Sequence, residues 1–155
     1  MKSCMLVAAT LGLLVATAWG DAAPKLPKED KDDLKKLQGD WTFTAWETGG
    51  RALAKEALET AKWTVKGDKY TFEMGGVEEE GTIKFDSAKK PATIDLAITS
   101  GNDAGKNQVG IVRIDGDTVT FCFARPGAED RPTEFKTTAD DNHILVTVKR
   151  VKKDD

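Results

Sequence analysis

From Asp40 onward, apolar and polar residues alternate with a period of two, the period of a β-strand whose side chains point to opposite faces of a sheet. WTFTAWE (41–47) sets Trp41, Phe43 and Ala45 against Thr42 and Thr44, KWTVK (62–66) sets Trp63 and Val65 against lysines, and KYTFEM (69–74) presents Tyr70, Phe72 and Met74. GTIKFD (81–86) presents Ile83 and Phe85, and TIDLAIT (93–99) presents Ile94, Leu96 and Ile98. TVTFCFA (118–124) presents Val119, Phe121 and Phe123, and HILVTVKR (143–150) presents Ile144, Val146 and Val148. QVGIVRID (108–115) is apolar on both faces, which leaves its orientation open. These segments predict eight strands. On this alternation Trp46 falls on the face opposite Trp41, either under a helix over 52–61 or in an exposed contact patch.

The punctuation between strands is short. KGDK (66–69), MGGV (74–77) and DGDT (115–118) are hairpin signals in which glycine supplies a positive φ without steric cost. Strands joined by such turns are antiparallel neighbours, so an up-and-down meander is expected. Two stretches follow the helical period instead. Residues 31–38 bring Leu34 and Leu37 one turn apart ahead of Gly39, and residues 52–61 align Ala54, Ala57, Leu58 and Ala61 on one face. An open meander exposes two edges to aggregation, and closing the last strand on the first removes them. The expectation is an all-β, eight-stranded antiparallel barrel, with the 31–38 helix plugging one end and the 52–61 helix near the other. A two-sheet sandwich is the alternative.

The ends change the picture of where this barrel works. Met1-Lys2 and the apolar run from Cys4 to Ala18, followed by small residues, predict a secretory signal peptide over 1–22. The run is shorter than the roughly 20 residues that span a bilayer, so no stable membrane anchor is expected after cleavage. Residues 23–30, charged and proline-bearing, read as a flexible lead-in, and 31–153 as a single domain. The localisation implied is exported, periplasmic or extracellular. Cleavage removes one of the two cysteines, leaving Cys122, in an apolar run, as a buried thiol without a disulfide partner. The formal net charge is −3 with the signs interspersed, and no basic stripe of the kind that binds nucleic acid appears.

Catalytic chemistry finds little support. His143 is the sole histidine, no nucleophile elbow is present, and Asp140, Asp141 and His143 lack the spacing of a metal site. No enzyme activity, metal or cofactor is expected. Glu78, Glu79 and Glu80 read as a charged strand edge or solvated face. GNDAGKN (101–107) departs from a phosphate loop in its glycine spacing and reads as a long turn. ARPGAEDRPTEF (124–135) has the composition of a fixed rim loop. Its Arg125 and Arg131 suit a carboxylate or phosphate, or else pair with Glu129, Asp130 or Glu134 to order the loop.

Gly39-Asp40-Trp41 after a short helix resembles the Gly-x-Trp signature of the lipocalin and calycin barrels. That resemblance implies an indole inside the closed end of the barrel, a glycine that lets the chain turn tightly into it, and an arginine from the last strand over the ring. Arg150 occupies the matching position here. LQGDW, VKGDKYTF, GTIKFDSAKKPATIDL, GIVRIDGDTVTFCFARPG and RPTEF, in that order, are similar to a family of exported bacterial proteins of unknown function, common in planctomycetes and described as lipocalin-like. The resemblance implies a fold and a compartment but no activity. The inward rings of such a barrel either fill it or line a pocket. The function expected is therefore a non-enzymatic module binding a small apolar or amphipathic ligand at the barrel mouth. Its walls would be Tyr70, Phe72, Phe121 and Phe123, with Arg125 and Arg131 at the rim. The alternative is a protein-interaction or cell-envelope structural module with a solid core.

Overall fold

The structure is a computed structural model that describes residues 28–153. The expected signal peptide and most of the expected lead-in lie outside the described residues. Residues 28–30 belong to the first helix, α1 (Lys28–Leu37), rather than to the lead-in. The strands are β1 (Gly39–Thr48), a two-residue β2 (Arg51–Ala52), β3 (Lys62–Lys66), β4 (Lys69–Met74), β5 (Val77–Asp86), β6 (Ala92–Ser100), β7 (Asn107–Asp115), β8 (Thr118–Phe123) and β9 (Ile144–Arg150). A single helical turn, α2 (Lys55–Leu58), lies between β2 and β3. The 52–61 helix contracts to this turn, although its apolar positions Leu58 and Ala61 are buried as the period predicts.

Consecutive strands from β3 to β9 pair antiparallel, β3 pairs with β1, and β9 returns to β1 along seven registered positions from Trp41↔Arg150 to Thr48↔Ile144. The eight long strands thus close an up-and-down, lipocalin-like barrel, and β2 is a short appendage on the second half of β1. The tight turns fall where glycine was expected. Gly75 and Gly76, at φ 58° and 84°, form a two-residue connection that only glycine adopts freely at both positions.

One end of the barrel is solid. Trp41, Val65, Ile83, Phe85, Ile94, Val112 and Val119 form an inward layer of buried side chains, and Leu34 and Leu37 of α1 close over it. The indole Nε1 of Trp41 donates to Leu37 O at 2.8 Å, satisfying a polar group that burial would otherwise penalise. The Arg150 guanidinium lies 4.3 Å from the centre of the Trp41 ring. Its Nη1 donates to Gln38 O and its Nη2 to Lys36 O, the latter at 2.6 Å. Arg150 therefore covers the ring and caps the carbonyl end of α1, where the helix dipole is negative. Gly39, at φ 112°, turns the chain between helix and strand, and a Cβ there would come within 3.3 Å of Arg150 Nη1. Gly39, Trp41 and Arg150 thus occupy the barrel base, as the Gly-x-Trp resemblance implied.

The pairing register slips at two places, on β6 where Glu80 pairs with Ser100 but Gly81 with Ile98, and on β1. Between Phe43 and Ala45 the β1–β9 register shifts: Phe43 pairs with Val148, Ala45 with Thr147 and Trp46 with Val146. One extra residue on β1 makes a β-bulge, and because side chains alternate, it reverses the facing of everything beyond it. Trp46 consequently points inward, packing with Phe43 at 5.6 Å and Phe72 at 5.8 Å between ring centres. This corrects the sequence-based expectation that Trp46 faces away from Trp41.

Replacing Arg150 with Leu removes a cation–π contact and two charge-assisted hydrogen bonds, and should destabilise the barrel by about 2–4 kcal/mol. Urea denaturation is the measurement, and Arg150→Lys should recover less than half of the loss because an ammonium cannot reach two carbonyls from above the ring. A midpoint for Arg150→Leu equal to that of the wild type would refute this account of the base.

Candidate functional site

Beyond the solid layer the interior opens. A cavity of about 310 Å³ occupies the half of the barrel away from α1. Its walls follow from strand geometry. The strands contribute inward residues mostly from the end remote from the base: Phe43 and Trp46 on β1, Trp63 on β3, Tyr70, Phe72 and Met74 on β4, Val77 and Glu79 on β5, Leu96 on β6, Gln108 on β7, Phe121 and Phe123 on β8, and Ile144, Val146 and Val148 on β9. Asn102, Asp103 and Pro126 complete the lining from the loops at that end. Val77, 48 % exposed, sits where the cavity meets solvent.

The rings fall into two groups. Phe43, Trp46 and Phe72 are half-buried, with Phe43 set edge-on to Phe72 at 5.5 Å. Trp63, Tyr70, Phe121 and Phe123 are buried, with Trp63 edge-on to Phe121 at 5.2 Å and Phe121 stacked on Phe123 at 5.4 Å. Two glycines without Cβ make this packing feasible. Gly81 pairs directly with Tyr70, and a Cβ there would lie 2.7 Å from the Tyr70 ring. Gly110 pairs directly with Phe123, and a Cβ there would lie 2.5 Å from that ring. In both cases the ring lies across the bare backbone of the neighbouring strand.

Polar groups at the cavity are few. The Tyr70 hydroxyl donates to Glu79 Oε1 at 2.8 Å. Burial pushes the Glu79 carboxyl above its ordinary range, against the Tyr70 hydrogen bond, which lowers it, and with the help of the nearby Asp103 charge. Burial, then the bond to Glu79 and its charge, push the Tyr70 hydroxyl well above its ordinary value, so it stays protonated. Asp103 is paired with Lys106 at 2.8 Å. Gln108, 8 % exposed, commits its Nε2 to Ala124 O at 2.9 Å.

The predicted wall residues Tyr70, Phe72, Phe121 and Phe123 come together here. Arg125 and Arg131 do not: neither lines the cavity. Arg125 is exposed and donates to Asn142 Oδ1 at 2.9 Å. Arg131 lies 2.7 Å from Asp95 Oδ1 and donates to Gly110 O at 2.7 Å. The 124–143 segment is therefore a strap along the outside of β6, β7 and β8 rather than a rim loop, and its arginines pair with neither Glu129, Asp130 nor Glu134. It explains the two-sided apolar pattern of β7: Ile111 faces outward beside its partner Cys122, and both are buried. The Cys122 thiol donates to Lys136 O at 3.5 Å, and burial pushes it up. Arg113 stacks its guanidinium 4.7 Å from the centre of the Phe135 ring of the same strap.

His143 immediately precedes β9; the backbone N–H of Thr138, then that of His143, donates to the Asp141 carboxylate and holds it below its usual range. Among the described residues no three His, Cys, Asp or Glu side chains converge to hold a metal ion, and no helix is long and apolar enough to cross a membrane.

Trp46 and Glu79 are among the lining residues that escaped the sequence reading, with Val77, Asn102, Asp103, Gln108 and Pro126. Trp46 was hidden by the bulge. Glu79 was taken as part of a charged edge, yet extending the alternation back from Phe85 and Ile83 through Gly81 places it on the inward face. Comparisons with protein-family models, with curated proteins and with solved structures find no match to this chain.

Two outcomes follow from these contacts. Arg131→Ala frees the strap, so alkylation of Cys122, followed by mass spectrometry of its peptide, should accelerate roughly tenfold or more as the covered thiol opens more often; equal rates would contradict the strap. For Glu79, the folded-state pKa lies above the unfolded one. Its stabilising contribution is full at pH below the ordinary carboxylate range and is lost as pH rises through the folded value. Glu79→Gln should therefore raise the denaturation midpoint above wild type at neutral pH, with the gap closing below about pH 4.

Proposed function

We propose that this protein is an exported, non-enzymatic binding module that holds a small apolar or amphipathic molecule in the open half of its barrel. The observation that carries the reading is the aromatic-walled cavity of about 310 Å³, at the lower end of the sizes that hold small molecules. A barrel used only as a solid scaffold would gain stability by filling that space, since each void forfeits contacts among the side chains around it. Here seven aromatic rings are instead arranged around the space. Export rests on the N-terminal apolar run from Cys4 to Ala18.

The test is binding of a small neutral aromatic, propylbenzene, followed by NMR. The indole N–H signals of Trp46 and Trp63 should shift on titration while that of Trp41, sealed in the base, stays in place. Burial of so small a body is worth a Kd on the order of a millimolar or tighter. Val146→Phe, which fills space beside Trp46, should weaken binding while leaving the far-ultraviolet circular dichroism unchanged. Unmoved Trp46 and Trp63 signals, or a Val146→Phe variant that binds as well as wild type, would count against the cavity as a binding site.

A further inference from the structure

The polar groups of the cavity are lopsided in two ways, and together they select a ligand chemistry. The first is charge. The lining contains Glu79 and Asp103 but no lysine, arginine or histidine. Asp103 already has Lys106. Glu79 has no cation: no ion pair among the described residues includes it, and its partner is the neutral Tyr70 hydroxyl. A half-buried carboxylate left without a counter-charge is destabilising, as the upward push on its proton affinity shows. The second asymmetry is hydrogen bonding. The Tyr70 proton goes to Glu79 and one Gln108 amide proton goes to Ala124 O, so the Glu79 carboxylate, the Tyr70 lone pairs and Gln108 Oε1 remain as acceptors, while the donors that share the lining, on Gln108, Asn102 and Trp63, are all uncharged.

The rings are placed to finish such a site. Glu79 is the direct cross-strand partner of Phe72, whose ring packs against Phe43 and Trp46, and Tyr70 stands on the same face one step toward the base. A group at the Glu79 carboxylate therefore lies beside aromatic faces, which attract cations through the ring quadrupole. An anionic headgroup would meet repulsion there, and a neutral one would leave the carboxylate unpaired.

We propose that the cavity takes a small primary amine in its protonated form, with the ammonium at Glu79 beside the Phe72 and Tyr70 rings and the apolar body among the deeper rings. The assignment rests on the binding-module reading and narrows it to one class of ligand. A primary ammonium supplies the positive charge that the lining lacks, together with donors for the acceptors around Glu79.

A charge-matched series on the full chain tests it: phenylethylamine, phenylethanol and phenylpropionate, titrated against intrinsic tryptophan fluorescence at neutral pH. The amine should bind roughly tenfold or more tightly than the alcohol, and the carboxylate most weakly. Glu79→Gln should weaken the amine by roughly tenfold and leave the alcohol within about twofold of wild type. If alcohol and carboxylate bind as tightly as the amine, or Glu79→Gln keeps the amine preference, the amine assignment is overturned while the cavity reading survives. If none of the three binds, both are overturned. The wild-type ranking decides the matter even if the variant fails to fold.

Discussion

The barrel depends on the seam where its last strand meets its first, and on Arg150 at the base of that seam. A meander alone would leave the edges of β1 and β9 unpaired. The Trp41↔Arg150 register closes the ladder and brings the guanidinium over the indole at the same step. From there one side chain serves strand and helix together: its plane covers the Trp41 ring, and its donors cap the Lys36 and Gln38 carbonyls at the end of α1. The helix is thereby fixed as a lid, Leu34 and Leu37 are pressed onto the core, and that end excludes water. The described residues contain no disulfide, so this packing and the continuous ladder hold the fold.

A base sealed in this way makes the interior asymmetric. Toward α1 the inward positions carry branched aliphatics, Phe85 and Trp41, all buried. Away from it they carry large planar rings, which cannot fill a round section completely. The bulge at Phe43–Ala45 sharpens the asymmetry, because it turns a third tryptophan inward and adds a wall to the open half. Gly81 and Gly110 work in the opposite sense. They allow Tyr70 and Phe123 to lie flat against neighbouring strands, which opens the centre and carries the Tyr70 hydroxyl to Glu79.

The strap from 124 to 143 shows how an outer wall can be mistaken for a functional rim. Its arginines and prolines have the composition of a ligand-gripping loop, yet Arg131 is consumed by Asp95 and the Gly110 carbonyl. It covers an apolar patch, Ile111 and Cys122, that would otherwise face water. Only Pro126 of this segment reaches the cavity.

Much of this was legible from residue types in order. Period-two alternation and glycine turns mark eight strands, and the helical spacing of Leu34 and Leu37 marks the plug, because these features depend on neighbours close along the chain. The aromatic wall of Tyr70, Phe72, Phe121 and Phe123 follows from the same alternation. What stayed hidden depended on contacts between distant segments. The bulge that turns Trp46 inward arises from register against β9, about a hundred residues away, the inward place of Glu79 from the reach of β5 beyond its apolar half, and the destination of Arg131 from the path of the strap. Local composition determines which faces are apolar and where the chain turns; only closure of the barrel decides which of those faces meet, because register and long-range pairing are set by the summed fit of strands that sequence distance keeps apart.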